Sequence, residues 1–273
     1  MAESTAPVPQ QERKSPLQLL LGIFLHPGLT LNRIAQRKNR LWWLPALITL
    51  VLVVTPVVAA GPINARESLA TYQESQEQIQ EQFGGGVEMT EEDMEQARAI
   101  VGSPVTHTIL PAVGTFFGRI IGWLIWAGAL YLGGMALGGR SKFGQIFSIT
   151  LWCWMPYALR GVIRTLYILF TGQTIDAPGL SALVAVPQTG AEAMGAMGTI
   201  GASPGQQILT DLLGRLDIFM IWHLILLVFG VRAATQLPQR KAVVATIGVW
   251  VILTLLSLLP TIVGSLVTAG MSM

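Results

Sequence analysis

The sequence predicts an all-α membrane protein: a bundle of about five transmembrane helices, preceded by N-terminal interfacial helices and carrying a helical extracytoplasmic hairpin. Three observations predict it. Apolar residues make up 52% of the 273-residue chain and charged residues only 12%, about half the share of a soluble globular protein, so much of the surface faces lipid. Five stretches are long and apolar enough to cross a bilayer, which takes about 20 residues at about 1.5 Å of rise each. Lys and Arg gather in alternate connections between those stretches.

In chain order, residues 1–15 are rich in Pro, Gln and Ser and read as a disordered tail. Residues 16–40 predict interfacial amphipathic helices, LQLLLGIFL and then LTLNRIAQRKNR, apolar on one side and basic on the other. A signal-peptide core is the competing reading of residues 17–25, but HPGLTLNR follows without a small-x-small cleavage site. The membrane domain occupies residues 41–265. Its spans fall at 41–60, within 109–137, and at 146–170, 212–231 and 243–263. Pro45, Pro56, Pro111, Pro156 and Pro260 lie inside them, where neighbouring helices satisfy the freed carbonyls. Trp42, Trp43 and Tyr167 suit the aromatic belts at the two boundaries.

Orientation follows from the cations. Arg13, Lys14, Arg33, Arg37, Lys38 and Arg40 precede span one; Arg140 and Lys142 join spans two and three; Arg232, Arg240 and Lys241 join four and five. The opposite connections hold only Arg66 and Arg98. The expected placement is the cell membrane, multi-pass, with a cytoplasmic N-terminus and an extracytoplasmic C-terminus.

The connection at 61–108 predicts the hairpin. Leu69, Tyr72, Gln76, Ile79 and Phe83 share one helical stripe, Gly84, Gly85 and Gly86 end it, and Thr90 with Asp93 opens a second short helix over 91–101. Its acids, Glu74, Glu77, Glu81, Glu88, Glu91, Glu92, Asp93 and Glu95, leave two readings open: a surface for a partner or cation, and a solvated face. The connection at 171–211 has no Lys or Arg and is punctuated by Gly190, Gly195, Gly198, Gly201 and Gly205. A re-entrant segment and a mostly apolar surface loop are both open there.

Ionisable residues inside the spans are costly in hydrocarbon and are therefore site candidates. Arg160 and Arg164 are four residues apart on one helix face, about 15 and about 9 Å below the outer end of span three. Counted from Leu212, Asp217 lies about 7.5 Å deep and His223 about 16 Å deep. Matching depths pair Arg164 with Asp217 and Arg160 with His223. With Arg119 of span two, these residues form either a polar cavity open to the outside that favours an anion, or a structural layer that orders the helices. Gly114, Gly118 and Gly122 give span two a face for close helix packing, within the chain or in a homodimer.

Catalytic patterns are absent: no HExxH, GxSxG, Walker or paired-carboxylate motif occurs, and His26, His107 and His223 fall in separate regions. With the single Cys153 in an apolar run, no catalytic residue, metal ligand or cofactor is expected. The expected partners are the lipid bilayer and a membrane protein or second copy, with no nucleic acid.

Three stretches resemble the pattern of bacterial Yip1-domain proteins. HPGLTLNRIAQRKNRLWWLPAL resembles the family's amphipathic approach to its first span. GGRSKFGQIFSITLWCWMPYAL resembles its basic loop feeding a span with a mid-span proline, here Pro156. LDIFMIWHLILLVFGVRAATQLPQRKA is the strongest match, through Asp217, Phe219, Trp222, Gly230, Lys241 and Ala242. The resemblance implies a five-span fold and a non-enzymatic membrane protein. It supplies no catalytic or ligand residues, and the binding of prenylated GTPases by eukaryotic relatives is not carried over. A membrane scaffold or interaction protein is the leading expectation; a transporter or lipid- or anion-binding permease using an Arg-lined outer cavity is the alternative.

Overall fold

The computed structural model describes residues 15–36, 41–83, 91–175, 177–184 and 204–271, and every described element is helical. The predicted tail through Lys14, the bases Arg37, Lys38 and Arg40, the Gly84–Gly86 break, Thr90, and Gly190 to Gly201 lie outside the described residues.

Ser15 and Gln18 form a reciprocal capping box that starts α1 (Pro16–Leu25), with Pro16 at the first position where its missing N–H costs nothing. α2 (Pro27–Gln36) folds back on it, and Gly22 lets Thr30 approach. The apolar faces of both helices, Leu19, Ile23, Leu31 and Ile34, join the same core as the long helices. Phe24 meets Trp222 edge-on at 5.2 Å.

α3 (Trp43–Phe83) is 41 residues long, so predicted span one and the first arm of the hairpin are one unbroken helix. Its length of about 60 Å is twice the hydrocarbon thickness. Pro56 and Pro62 sit inside it without ending it, because each removes only one ladder bond. α4 (Glu91–Val101) lies where the sequence predicts the second arm, and a π-turn at Val105–Ile109 leads into α5 (Leu110–Ala136). Leu69 of the predicted stripe packs over Gly102, and Gly61 admits Thr108, so the two arms touch at both points.

The predicted third span is two helices, α6 (Phe143–Cys153) and α7 (Met155–Thr171), interrupted at Trp154. It is the core of the bundle. In its most apolar stretch 67% of residues are buried, against 6% for the helix through α5, which therefore meets lipid on most sides. α8 (Pro204–Arg215) is a separate helix where a loop and the start of span four were expected. Span four is α9 (Ile218–Thr235), six residues later than predicted at its start, and span five is α10 (Gln239–Met271). Arg215 bonds Ser257 and Asp211 accepts from Thr261 at 2.6 Å, fastening α8 to α10. Among the described residues five helical spans, α6 and α7 counted together as one, are long and apolar enough to cross a membrane.

Candidate functional site

The site begins with a proline. Pro156 has no N–H to continue the α6 ladder, and the chain changes register over one residue. Trp154 N–H turns to the Leu151 carbonyl at 3.2 Å, and Tyr157 N–H to the Trp154 carbonyl at 3.0 Å. In a regular helix Tyr157 N–H would serve Cys153, so the Cys153 carbonyl is left without its helical donor deep in the bundle. His223 of α9 fills the vacancy: its Nδ1–H donates to that carbonyl at 2.7 Å. A carbonyl only accepts, which puts a proton on Nδ1, and in the neutral ring Nε2 is then an acceptor. Nε2 is buried with no hydrogen-bond partner among the described residues. Trp154, Tyr157 and Trp126 surround the imidazole, their ring centroids 4.9, 5.2 and 5.6 Å from the centroid of the His223 ring.

Arg119 of α5 lies over the Trp154 ring, its guanidinium carbon 4.6 Å from the centroid, a cation–π contact. Its Nε is likewise buried and unpaired among the described residues. One turn beyond the break, Arg160 Nη1 donates to Asp217 Oδ2 at 2.7 Å, with side chains 22% and 11% exposed. The other carboxylate oxygen, Oδ1, accepts from Met220 N–H at 2.7 Å. Asp217 is therefore the N-cap of α9, placing negative charge on the positive end of the helix. Arg164 lies a further turn along α7, within electrostatic reach of Asp217 but without a direct ion pair among the described residues.

The structure thus brings Arg119, Arg160, Asp217 and His223 around one helix break, with Arg164 at its edge. It changes the pairing predicted from depth. Asp217 takes Arg160 rather than Arg164, and His223 takes a backbone carbonyl rather than Arg160. Counting depth sets the outer ends of the two spans level, whereas α9 starts at Ile218 and Asp217, at that end, lies beside Arg160 well inside α7. Tyr157 and Trp154 are new members; their aromatic types beside Pro156 were the available signal.

The glycine prediction changes as well. A Cβ at Gly114, Gly118 or Gly122 would meet nothing within 4 Å, so this stripe packs against no other part of the described chain. Close packing belongs to Gly161, against which the Leu52 carbonyl of α3 is pressed, and to Gly230, which receives Ile149 and Cys153 of α6. A methyl group at either position would overlap those atoms.

Five apolar spans among the described residues, the core one broken and recapped by its neighbour, define a multi-pass integral membrane protein. A family model described as the Yip1 domain matches residues 21–260, and the chain belongs to that family. No curated protein and no solved structure matches it.

Proposed function

We propose that this chain is a non-enzymatic membrane scaffold or interaction protein in the cell membrane. In this reading the basic connections and the N-terminus are cytoplasmic, α1 and α2 lie in the interface, and the α3–α4 arms stand outside. One observation carries the reading: four of the ionisable residues singled out in the spans, Asp217, Arg160, His223 and Arg119, are engaged with the frame itself. Asp217 caps α9 and holds Arg160, His223 caps the broken core span, and Arg119 rests on Trp154. Residues so committed order helices, and the surfaces left for recognition are the lipid-exposed face of α5 and the arms. Mild-detergent pull-down of the tagged chain from native membranes tests it. A reproducible membrane-protein partner, or a second copy captured by crosslinking, is expected. A preparation in which no protein is enriched over a control membrane protein refutes the reading.

The alternative, an anion-binding permease, draws support from Arg119 Nε and His223 Nε2, which are unpaired among the described residues, and from Arg164, which has no direct ion pair among them. Arg164→Gln separates the two. The scaffold reading expects partner capture unchanged, whereas the permease expects loss of anion uptake in vesicles.

A further inference from the structure

We propose that the basic end of the bundle, opposite the Arg160–Asp217 pair, carries a binding site for a phosphate-bearing anion. A cavity of about 1260 Å³ opens there between α2, the connection after α5 and the connection after α9. Arg140, Lys142 and Arg232 line it, with amides from Asn32, Gln36 and Gln236 beside them. No carboxylate is among the described lining residues.

Among the described residues this charge has no internal answer. From Ser15 onward every Asp and Glu lies between Glu67 and Asp217 in the sequence, and Asp217 itself is taken up by Arg160 and the α9 cap at the other end of the bundle. Arg140, Lys142 and Arg232 make no ion pair among the described residues. Helix ends do not supply the missing charge either. The negative ends of α2 and α9 border the cavity, but so do the positive ends of α6 and α10, and the contributions oppose one another. Side chains therefore set the sign, and three neighbouring cations repel until an anion enters.

The walls are built rather than incidental. Arg140 N–H donates to the Thr235 carbonyl at 3.0 Å, tying the two basic connections together by their backbones. Gly139 makes that approach possible, since a Cβ there would lie 2.8 Å from the Gly134 carbonyl oxygen and 2.9 Å from Thr235. Lys241 Nζ donates to the Leu137 carbonyl at 3.0 Å, and Gln145 Nε2 to the Ala35 carbonyl at 3.2 Å, closing the α6 and α2 sides. Ser141 lines the cavity with its Oγ buried and unpartnered among the described residues. Guanidinium forks beside an ammonium and a hydroxyl match the oxygens of a phosphate. Because the cavity lies where connections leave the spans, it opens at a membrane surface, within reach of both a lipid headgroup and a soluble phosphate.

The experiment uses the full chain in zwitterionic micelles, with phosphatidic acid and phosphatidylcholine as lipid probes and inorganic phosphate as the soluble one. Native mass spectrometry is expected to find phosphatidic acid retained about tenfold over phosphatidylcholine. Arg140→Gln, Lys142→Gln and Arg232→Gln should each lower that retention by about tenfold, the scale of one charge-assisted hydrogen bond. Arg240→Gln, exposed at the same end but outside the cavity, should leave it unchanged. Equal retention of the two lipids, combined with thermal stabilisation by phosphate that the three variants lose, keeps the site and assigns it a soluble ligand. Equal retention without a phosphate response overturns the proposal, as does an equal loss in Arg240→Gln. Thermal unfolding is recorded for every variant, and one that fails to fold is read through the other two.

Discussion

α9 runs between two ends of the bundle that treat positive charge in opposite ways. At its N-terminal end Arg160 meets Asp217 from the same chain, both side chains are mostly covered, and the carboxylate also caps the helix. At its C-terminal end Arg232 shares a cavity with Arg140 and Lys142 and, among the described residues, with no acid. A cation that finds its counter-ion inside the chain becomes part of the frame, because removing either partner strands the other in a poorly solvated place. A cation whose counter-ion must come from outside can be removed with little harm to the fold, and is then free to act on a ligand. The difference separates residues that hold this Yip1-family protein together from residues able to recognise something, and it is measurable.

The largest effect belongs to the paired end. Asp217→Ala leaves Arg160 without its partner and Met220 N–H without its cap, and is expected to cost about 3–5 kcal/mol of folding stability. Reversible unfolding in mixed micelles measures it. Asp217→Asn keeps the cap and loses only the charge, so it should cost less. Combining it with Arg160→Met should recover much of the loss, because an apolar replacement for a buried pair is often neutral. A double variant no better than Asp217→Asn would show that the two side chains do not act as a pair.

Next come the two close contacts beside it. Gly161→Ala drives a methyl into the Leu52 backbone and should cost about 1–3 kcal/mol, whereas Gly118→Leu, facing open space, should stay within about 0.5 kcal/mol. Similar losses from both would return the α5 stripe to a packing role inside the chain. His223→Phe keeps ring volume but abandons the Cys153 carbonyl, an expected loss of about 1–3 kcal/mol. In a Pro156→Ala background that loss should shrink, since an unbroken helix would pair the carbonyl itself. Additive losses in the double variant would mean that the histidine is not the cap of the break.

How much of this was legible beforehand differs by region for physical reasons. The spans could be read because apolar length is a property of the sequence alone. Asp217 before an apolar run is itself an N-cap signal that starts α9 at Ile218, but its partner was not readable, because depth counting sets the outer ends of two spans level and the start of α9 lies beside Arg160, well inside α7. Which group His223 meets was not readable, because every residue offers a carbonyl and only the break around Pro156 frees the one at Cys153. The long α3 was masked by the change from apolar to acidic composition at its middle, which alters the surroundings of a helix without ending it. At the basic end the uneven charge was visible. The cavity was not, since it needs α2 folded against the two connections and Gly139 at the crossing.

The smallest expected effect makes the comparison sharpest. Replacing Arg140, Lys142 and Arg232 together by Gln removes three charges, three times as many as Asp217→Ala, yet stability in zwitterionic micelles should move by no more than about 0.5 kcal/mol. The direction should be upward, because the wild-type cations repel one another and no carboxylate in the cavity is left stranded when they go. Added salt should narrow the gap between variant and wild type as it screens that repulsion, over a Debye length of about 10 Å at 0.1 M. The Asp217→Ala loss should respond far less, since its pair is mostly covered. A triple variant that unfolds as readily as Asp217→Ala would place the basic end in the frame too, and the two ends of α9 would then differ only in sign.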